Sequence, residues 1–297
     1  MLNIPDNPLI LIDGSSYLYR AFYAYPITMN NGKIPTNAIY GVVNMLRSTM
    51  RQFLSERIAI IFDAEGQSFR SKMYPKYKAN RQPMSEQLCC QIEPLKNVIQ
   101  AMGIPLISVM GVEGDDVIGT LAVKSSKSNI PVLINTNDKD MAQLVNDNIT
   151  LINTTNNEFM NRESVVKKFG IPPELIIDYL ALTGDRSDNI PGVPGIGNKT
   201  ATILLKKIGS LNDIFNNLNK VKSLNIRGSL SVTKKLENHK EIALLSYALS
   251  TIKLDVKLNE TPQTLVKKIP NKRMLLELYK QLAFKSWLKE ILEDIRN

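Results

Sequence analysis

Short, continuous apolar runs punctuate the first half of the chain, and most of them stop at an acid or a glycine. Residues 9–12, Leu-Ile-Leu-Ile, end in Asp13-Gly14, which reads as a buried strand and a tight turn. Residues 58–62 form a second run ending in Asp63. Residues 105–109 lead into Gly111, and residues 130–134 are followed by Thr136. Shorter runs at 149–152 and 158–160 flank an Asn-rich turn. Between the runs the spacing becomes helical. Ile39, Val42, Val43, Leu46 and Met50 line one face across 36–54. Residues 85–102 predict a helix with Ser85 as its cap. Another opens at Asp115 or Asp116 and carries Val117, Ile118, Leu121 and Ala122, and a further one is expected over 138–145. The alternation predicts a doubly wound, mostly parallel α/β sheet.

From about residue 161 strand-like runs largely stop. Residues 172–182 read as a helix with Pro-Pro at its start. Gly192-Val-Pro-Gly-Ile-Gly-Asn-Lys-Thr200 is a Gly/Pro hairpin between helices, and residues 201–208 continue as a helix. A soft boundary falls at 161–185, giving an α/β part over 1–170 and a helical part over 171–297 with its hairpin at 190–208. No Gly/Ser-rich linker separates them.

Charge changes the picture. The 297 residues carry a net charge of +9, with a pI near 9.4, which favours a polyanionic partner. No apolar run reaches the ~18 residues that cross a bilayer. Residues 1–8 lack a basic segment followed by an apolar core, so no signal peptide is expected and a cytoplasmic location is. Cys89 and Cys90 are adjacent and make no disulfide framework. His239 is the only histidine, which argues against histidine-ligated zinc and Ser-His or Cys-His catalysis.

Against this basic background stand nine acids in short settings: Asp13, Asp63, Glu113, Asp115, Asp116, Asp138, Asp140, Asp185 and Asp188. Most follow a buried strand, and residues past strand ends of a parallel sheet converge on one crevice. So many acids there repel unless cations neutralise them, and hard oxygen ligands select Mg2+ or Mn2+. Asp115 and Asp116 could cap a helix; capping alone leaves Glu113 unexplained, whereas two ions about 4 Å apart would use all three. Arg70, Lys72, Lys76, Lys78 and Arg81 are interleaved with Phe69, Tyr74 and Tyr77 and no acid. That pattern suits a strand-binding element, with cations on phosphates and rings on bases. Arg20, seven residues after Asp13, could add a phosphate contact. In the hairpin, Gly192, Gly195 and Gly197 either make a tight turn or let backbone N–H groups approach a duplex, with Lys199 and Thr200 at the next helix start.

With these residues assembled, the chain resembles the 5′-nuclease (flap endonuclease) family, most closely the N-terminal 5′–3′ exonuclease domain of bacterial DNA polymerase I. The motifs that carry the resemblance are Phe62-Asp-Ala with Ser68-Phe-Arg, Tyr77-Lys-Ala-Asn-Arg, Val112-Glu-Gly-Asp-Asp-Val, Asp138-Lys-Asp, Leu182-Thr-Gly-Asp-Arg-Ser-Asp-Asn-Ile-Pro-Gly-Val and Gly195-Ile-Gly-Asn-Lys-Thr-Ala. The resemblance implies that the nine acids hold two divalent metals. It places Lys78 and Arg81 on a helical arch, at about 70–100, where they engage the scissile phosphate, and stacks Tyr77 near the 5′ strand. The 192–200 hairpin becomes a helix–turn–helix that grips duplex and can carry K+. Gly114 and Asn137 depart from residues common in the family, and neither removes a ligand. The implied activity is structure-specific 5′–3′ exonuclease and flap endonuclease cleavage of DNA, leaving 5′-phosphates, in primer removal and repair. Expected substrates are 5′ flaps, nicked or gapped duplexes and RNA primer–DNA strands, with a separate DNA polymerase as a partner and the chain itself a monomer. The competing readings are a PIN-like ribonuclease and a non-catalytic branched-DNA binding subunit.

Overall fold

A computed structural model describes residues 6–27, 29–30, 34–153, 155–156 and 158–296. Residues 1–5 of the N-terminal segment read above, and 154 and 157 of the Asn-rich turn, lie outside these.

The strands are β1 (Leu9–Asp13), β2 (Met29–Asn30), β3 (Ile34–Pro35), β4 (Ile58–Ile61), β5 (Leu106–Ile107), β6 (Val132–Asn135), β7 (Ile149–Ile152) and β8 (Phe159–Met160). Helices in the first half are α1 (Gly14–Ala24), α2 (Asn37–Gln52), α3 (Phe69–Met73), α4 (Glu86–Ala101) and α5 (Gly114–Lys127). Then come α6 (Arg162–Phe169), α7 (Ile176–Thr183), α8 (Asn198–Lys207), α9 (Leu211–Asn216), α10 (Leu218–Ser223), α11 (Ser229–Asn238), α12 (Lys240–Ser250), α13 (Lys272–Gln281) and α14 (Lys285–Arg296).

Six strands form one sheet in the order β5-β4-β1-β6-β7-β8. Its pairs are parallel except β7 with β8. The continuous apolar strands explain this arrangement, because both faces of the sheet are covered. Side chains alternate along a strand: Leu9 and Leu11 enter one core with α5 to α12, while Ile10 and Ile12 enter the other with α1, α2 and α4. β1 lies between β4 and β6, so its carboxyl end is the point where connections diverge to the two sides. No helix among the described residues is long and apolar enough to cross a membrane.

Four local features differ from the periodic reading. α1, not expected, follows β1 directly because Asp13 caps it, accepting Ser16 N–H at 2.9 Å. The 138–145 helix is a short 3-10 turn, Lys139–Leu144. The stretch expected as an arch consists of α3, a turn-rich crossing over 75–80 and α4, whose Leu88, Leu95, Val98 and Ile99 are core residues. Finally, α13 and α14 pack beside α2 and α4 through Tyr279, Phe284 and Trp287, with Tyr40 stacked on Trp287 at 4.7 Å. They therefore stand on the sheet face opposite α7 and α8.

Candidate active site

The carboxyl edge of the sheet gathers the acids. Asp13 ends β1, and Asp63 lies two residues beyond β4. Asp138 and Asp140 follow β6, Glu113 and Asp115 open α5, and Asp185 and Asp188 sit in a tight loop after α7. A cleft of about 1060 Å³ is lined by Asp13, Asp63, Asp115 and Asp138 together with Arg20, Lys78 and Arg81. A second cavity of about 390 Å³ is lined by Asp138, Asp140, Asp185 and Asp188, again with Arg81. Seven of the nine acids thus fall into two groups that share Asp138, while Glu113 and Asp116 line neither cavity.

Hydroxyls and cations hold most of these carboxylates. Asp13 accepts from Ser16 Oγ at 2.6 Å and Thr136 Oγ1 at 2.8 Å. Asp63 accepts from Ser15 Oγ at 2.8 Å and Gly114 N at 2.7 Å. Glu113 receives Ser68 Oγ at 3.0 Å, Tyr77 Oη at 3.0 Å and Lys78 Nζ at 2.8 Å. Asp188 pairs with Arg81 at 2.5 Å, and Asp185 with Lys139 at 2.7 Å. The oriented hydroxyls and Lys139 had no assigned role in the sequence. Ser16, three residues after Asp13, had a legible signal, since that is the donor position of a helix cap.

Electrostatics separate the groups. Burial, reinforced by Asp138 and Asp13, raises the carboxyl of Asp115 well above its usual range. Burial with Asp138 and Asp185 does the same for Asp140, whose Oδ1 is buried without a hydrogen bond. Burial also raises Asp13 and Asp138. Asp185 is opposite: burial opposes its ionisation, but hydrogen bonds from Lys139 and Ser187 prevail and lower it. Among the described residues no three acids stand close enough to enclose one ion in this arrangement. Their chemistry nevertheless fits hard cations: an all-oxygen donor set, an orphaned oxygen on Asp140, and positive side chains already drawn onto Glu113, Asp185 and Asp188.

These shifts predict how stability follows pH. A carboxyl raised in the folded state is stabilising while protonated, and that contribution is lost as pH rises through its folded pKa. Asp13, Asp115, Asp138 and Asp140 act in this sense. Asp185 contributes stability above the usual carboxylate range and loses it as pH falls through its lowered pKa. The metal-free protein is therefore expected to melt at higher temperature as pH drops from neutrality toward that range. Added Mg2+ should raise the midpoint most at neutral pH. Calorimetry in EDTA and in Mg2+ checks both; a metal-free midpoint that falls over that interval would remove the mutual repulsion.

Three expected contacts are corrected. Arg70 is 2 % exposed and cannot take a phosphate. Its guanidinium binds Asp116 at 2.8 and 2.7 Å and the carbonyls of Leu249 and Thr251 at 2.9 and 2.7 Å. Asp116, fully buried, lines neither cavity; its oxygens also accept Glu113 N and Lys253 N. It caps α5 and anchors Arg70, and protein donors occupy both its oxygens. Tyr77 is 6 % exposed, with its ring against Ile190 and Leu249, so it presents no face to a base. Arg20 lines the main cleft.

In the hairpin, Gly192 has φ +61°, and a β-carbon there would fall 2.3 Å from Gly184 N, so close packing requires it. Gly197 meets nothing within 4 Å and leaves the backbone before α8 open to a ligand. Lys199 and Thr200 occupy the first turn of α8. Lys235 Nζ stands 3.3 Å from the Gly195 carbonyl.

An α/β sheet with an acidic carboxyl edge, joined to a helical part, is the build of a known class of proteins. Residues 8–170 match the family "5′-3′ exonuclease, N-terminal resolvase-like domain", and residues 171–273 match "5′-3′ exonuclease, C-terminal SAM fold". The chain belongs to the 5′–3′ exonuclease family. It is 50% identical over 291 residues to a DNA polymerase I of Pseudomonas aeruginosa, covering 97% of this chain but only 32% of that protein. It is 44% identical over 280 residues to a 5′-3′ exonuclease of Buchnera aphidicola, covering 94% and 93% of the two. Its fold is shared with the T5 D15 protein co-crystallised with metal ions (TM-score 0.67, 21% identity, 96% and 98% covered). It is also shared with the catalytic core of Rad2 in complex with DNA substrate (TM-score 0.63, 18% identity, 98% and 92% covered).

Proposed function

We propose that this chain cleaves DNA as a structure-specific 5′–3′ exonuclease and flap endonuclease, with divalent metal ions, leaving 5′-phosphates. One observation carries the reading: two groups of carboxylates line two cavities that share Asp138 and Arg81, with Lys78 beside the first. Asp13, Asp63 and Asp115 would hold one ion; Asp140, Asp185 and Asp188 would hold the second, and Asp138 stands between. Glu113 reaches the first group through its contact with Lys78. Two Mg2+ or Mn2+ ions, when bound, would lower the pKa of a water and neutralise the leaving oxygen. The chain's own part is to orient and offset charge. Ser16 and Thr136 fix the Asp13 carboxylate, and Lys78 and Arg81 meet the negative charge that grows on the phosphate.

The 1–170 part would carry the chemistry, and the helical part from 171 would hold duplex through the backbone at Gly195 and Gly197 with Lys199 and Thr200. An ammonium already faces the Gly195 carbonyl, so a potassium ion there would compete with Lys235. Suitable substrates are 5′ flaps, nicked or gapped duplexes and RNA primer–DNA strands in primer removal and repair, with a separate DNA polymerase as the enzyme that fills the gap. A 5′-labelled flap incubated with Mg2+ or EDTA tests the reading. Mg2+-dependent release of the flap near the junction is expected; tight binding without cleavage in either Mg2+ or Mn2+ would favour a binding subunit. Single-stranded RNA cut faster than the flap would favour a ribonuclease.

Lys78→Ala should slow single-turnover cleavage about 10²-fold, the scale of losing one preorganised charge contact, and weaken duplex binding far less. Equal losses in rate and affinity would reduce Lys78 to a general electrostatic contact.

A further inference from the structure

The turn carrying Lys78 and Arg81 is tied to the loop carrying Asp185 and Asp188 in two chemically different ways. One is ionic: Lys78 Nζ lies 3.6 Å, and Arg81 2.5 Å, from the Asp188 carboxylate. The other involves no charged group. Lys78 N–H donates to the Asp188 carbonyl at 2.9 Å. Asn189 Nδ2 donates to the Lys76 carbonyl at 2.6 Å, and Asn80 Nδ2 to the Arg186 carbonyl at 2.8 Å. Both sides of this seam use left-handed backbone. Lys78 has φ +54°, which costs a residue of its kind energy and persists only where neighbours impose it; Asn189 has φ +56°, which asparagine adopts more readily. Beneath the seam, the Tyr77 ring packs on Ile190 and Leu249.

The two ties respond differently when the site fills. Neutralising Glu113 and Asp188 with another cation weakens their pairs with Lys78 and Arg81. The amide bonds are indifferent to that change. We propose that Asn80 and Asn189 are positioning residues, which keep the 76–81 turn on the 185–190 loop once the ionic contacts let go. Lys78 and Arg81 then stay above the cleft and transfer from carboxylate to substrate phosphate without the turn swinging away. Holding them there keeps their local concentration at the phosphate high. The inference rests on the nuclease reading given above.

Asn189→Gly tests it without disturbing the left-handed backbone, and Asn80→Ala tests the other bond. Each is expected to slow single-turnover flap cleavage about tenfold, the effect of losing one hydrogen bond of positional control, with DNA affinity in EDTA within about twofold. Trypsin supplies a readout independent of activity. Cutting after Lys78 and Arg81 in the DNA-free variants should remain slow in EDTA and accelerate about tenfold in Mg2+, while wild type stays slow in both. The inference is overturned if both variants cut flaps at the wild-type rate, if rate and affinity fall together, or if Mg2+ exposes the turn equally in wild type. A wild-type protein that leaves flaps uncut sinks the nuclease reading instead, and the trypsin comparison still decides the tether.

Discussion

Asp115→Asn is expected to lower flap cleavage by about 10³-fold, because a metal-holding carboxylate contributes several kcal/mol of charge stabilisation to phosphodiester hydrolysis. Duplex affinity should stay within a few-fold, since Asp115 lies in the cleft and not on the α8 hairpin. Stability should move the other way. Asp115 is raised by burial and by its neighbours Asp138, Asp13 and Asp63, so an uncharged amide removes repulsion from the metal-free fold. The metal-free variant is expected to melt above wild type, and the stabilisation by Mg2+ to shrink. Single-turnover rates, anisotropy and calorimetry on one preparation separate the three effects. Cleavage at the wild-type rate would take Asp115 out of the site. A lowered melting point would mean that repulsion is not what sets its environment.

Arg70→Met should cost about 3–5 kcal/mol, the penalty for leaving one member of a buried ion pair without its partner. Asp116 would be the stranded charge, fully buried and held otherwise by two backbone amides. The damage should spread, because Arg70 also joins α3 to the end of α12 through the Leu249 and Thr251 carbonyls. Adding Asp116→Leu should recover much of the loss, as buried pairs are often replaceable by apolar groups together. Denaturant titration of the two single variants and the double one closes the cycle. The salt dependence of DNA binding discriminates further. A phosphate-contacting arginine would lower the slope by about one on its removal; Arg70→Met should leave it unchanged.

Much of the fold was legible because buried parallel strands announce themselves. The runs at 9–12, 58–62, 130–134 and 149–152 each became a strand within a residue or two, since short apolar runs bounded by turn residues suit strands buried on both faces. The acids at their ends were legible for the same reason: strand ends in such a sheet meet at one edge. What periodicity missed was short or irregular. The α1 helix is set by the Asp13 cap more than by an apolar stripe, and the 139–144 turn lacks a regular helical period.

Local sequence therefore determined the sheet, its acidic edge and the basic segment that crosses it. It could not decide which member of each motif faces the cleft. Arg70 and Lys78 stand in one basic run, and Asp115 and Asp116 are neighbours, yet in each pair one lines the cavity while the other is sealed in the core. That choice comes from tertiary packing. Helical geometry turns adjacent side chains about 100° apart, and Asp116 falls on the side where Arg70 and the chain after α12 converge. Burial there is tolerable only because both charges meet at hydrogen-bonding distance. Asp115 has no such partner, so burial and the acids beside it oppose its ionisation at the cleft.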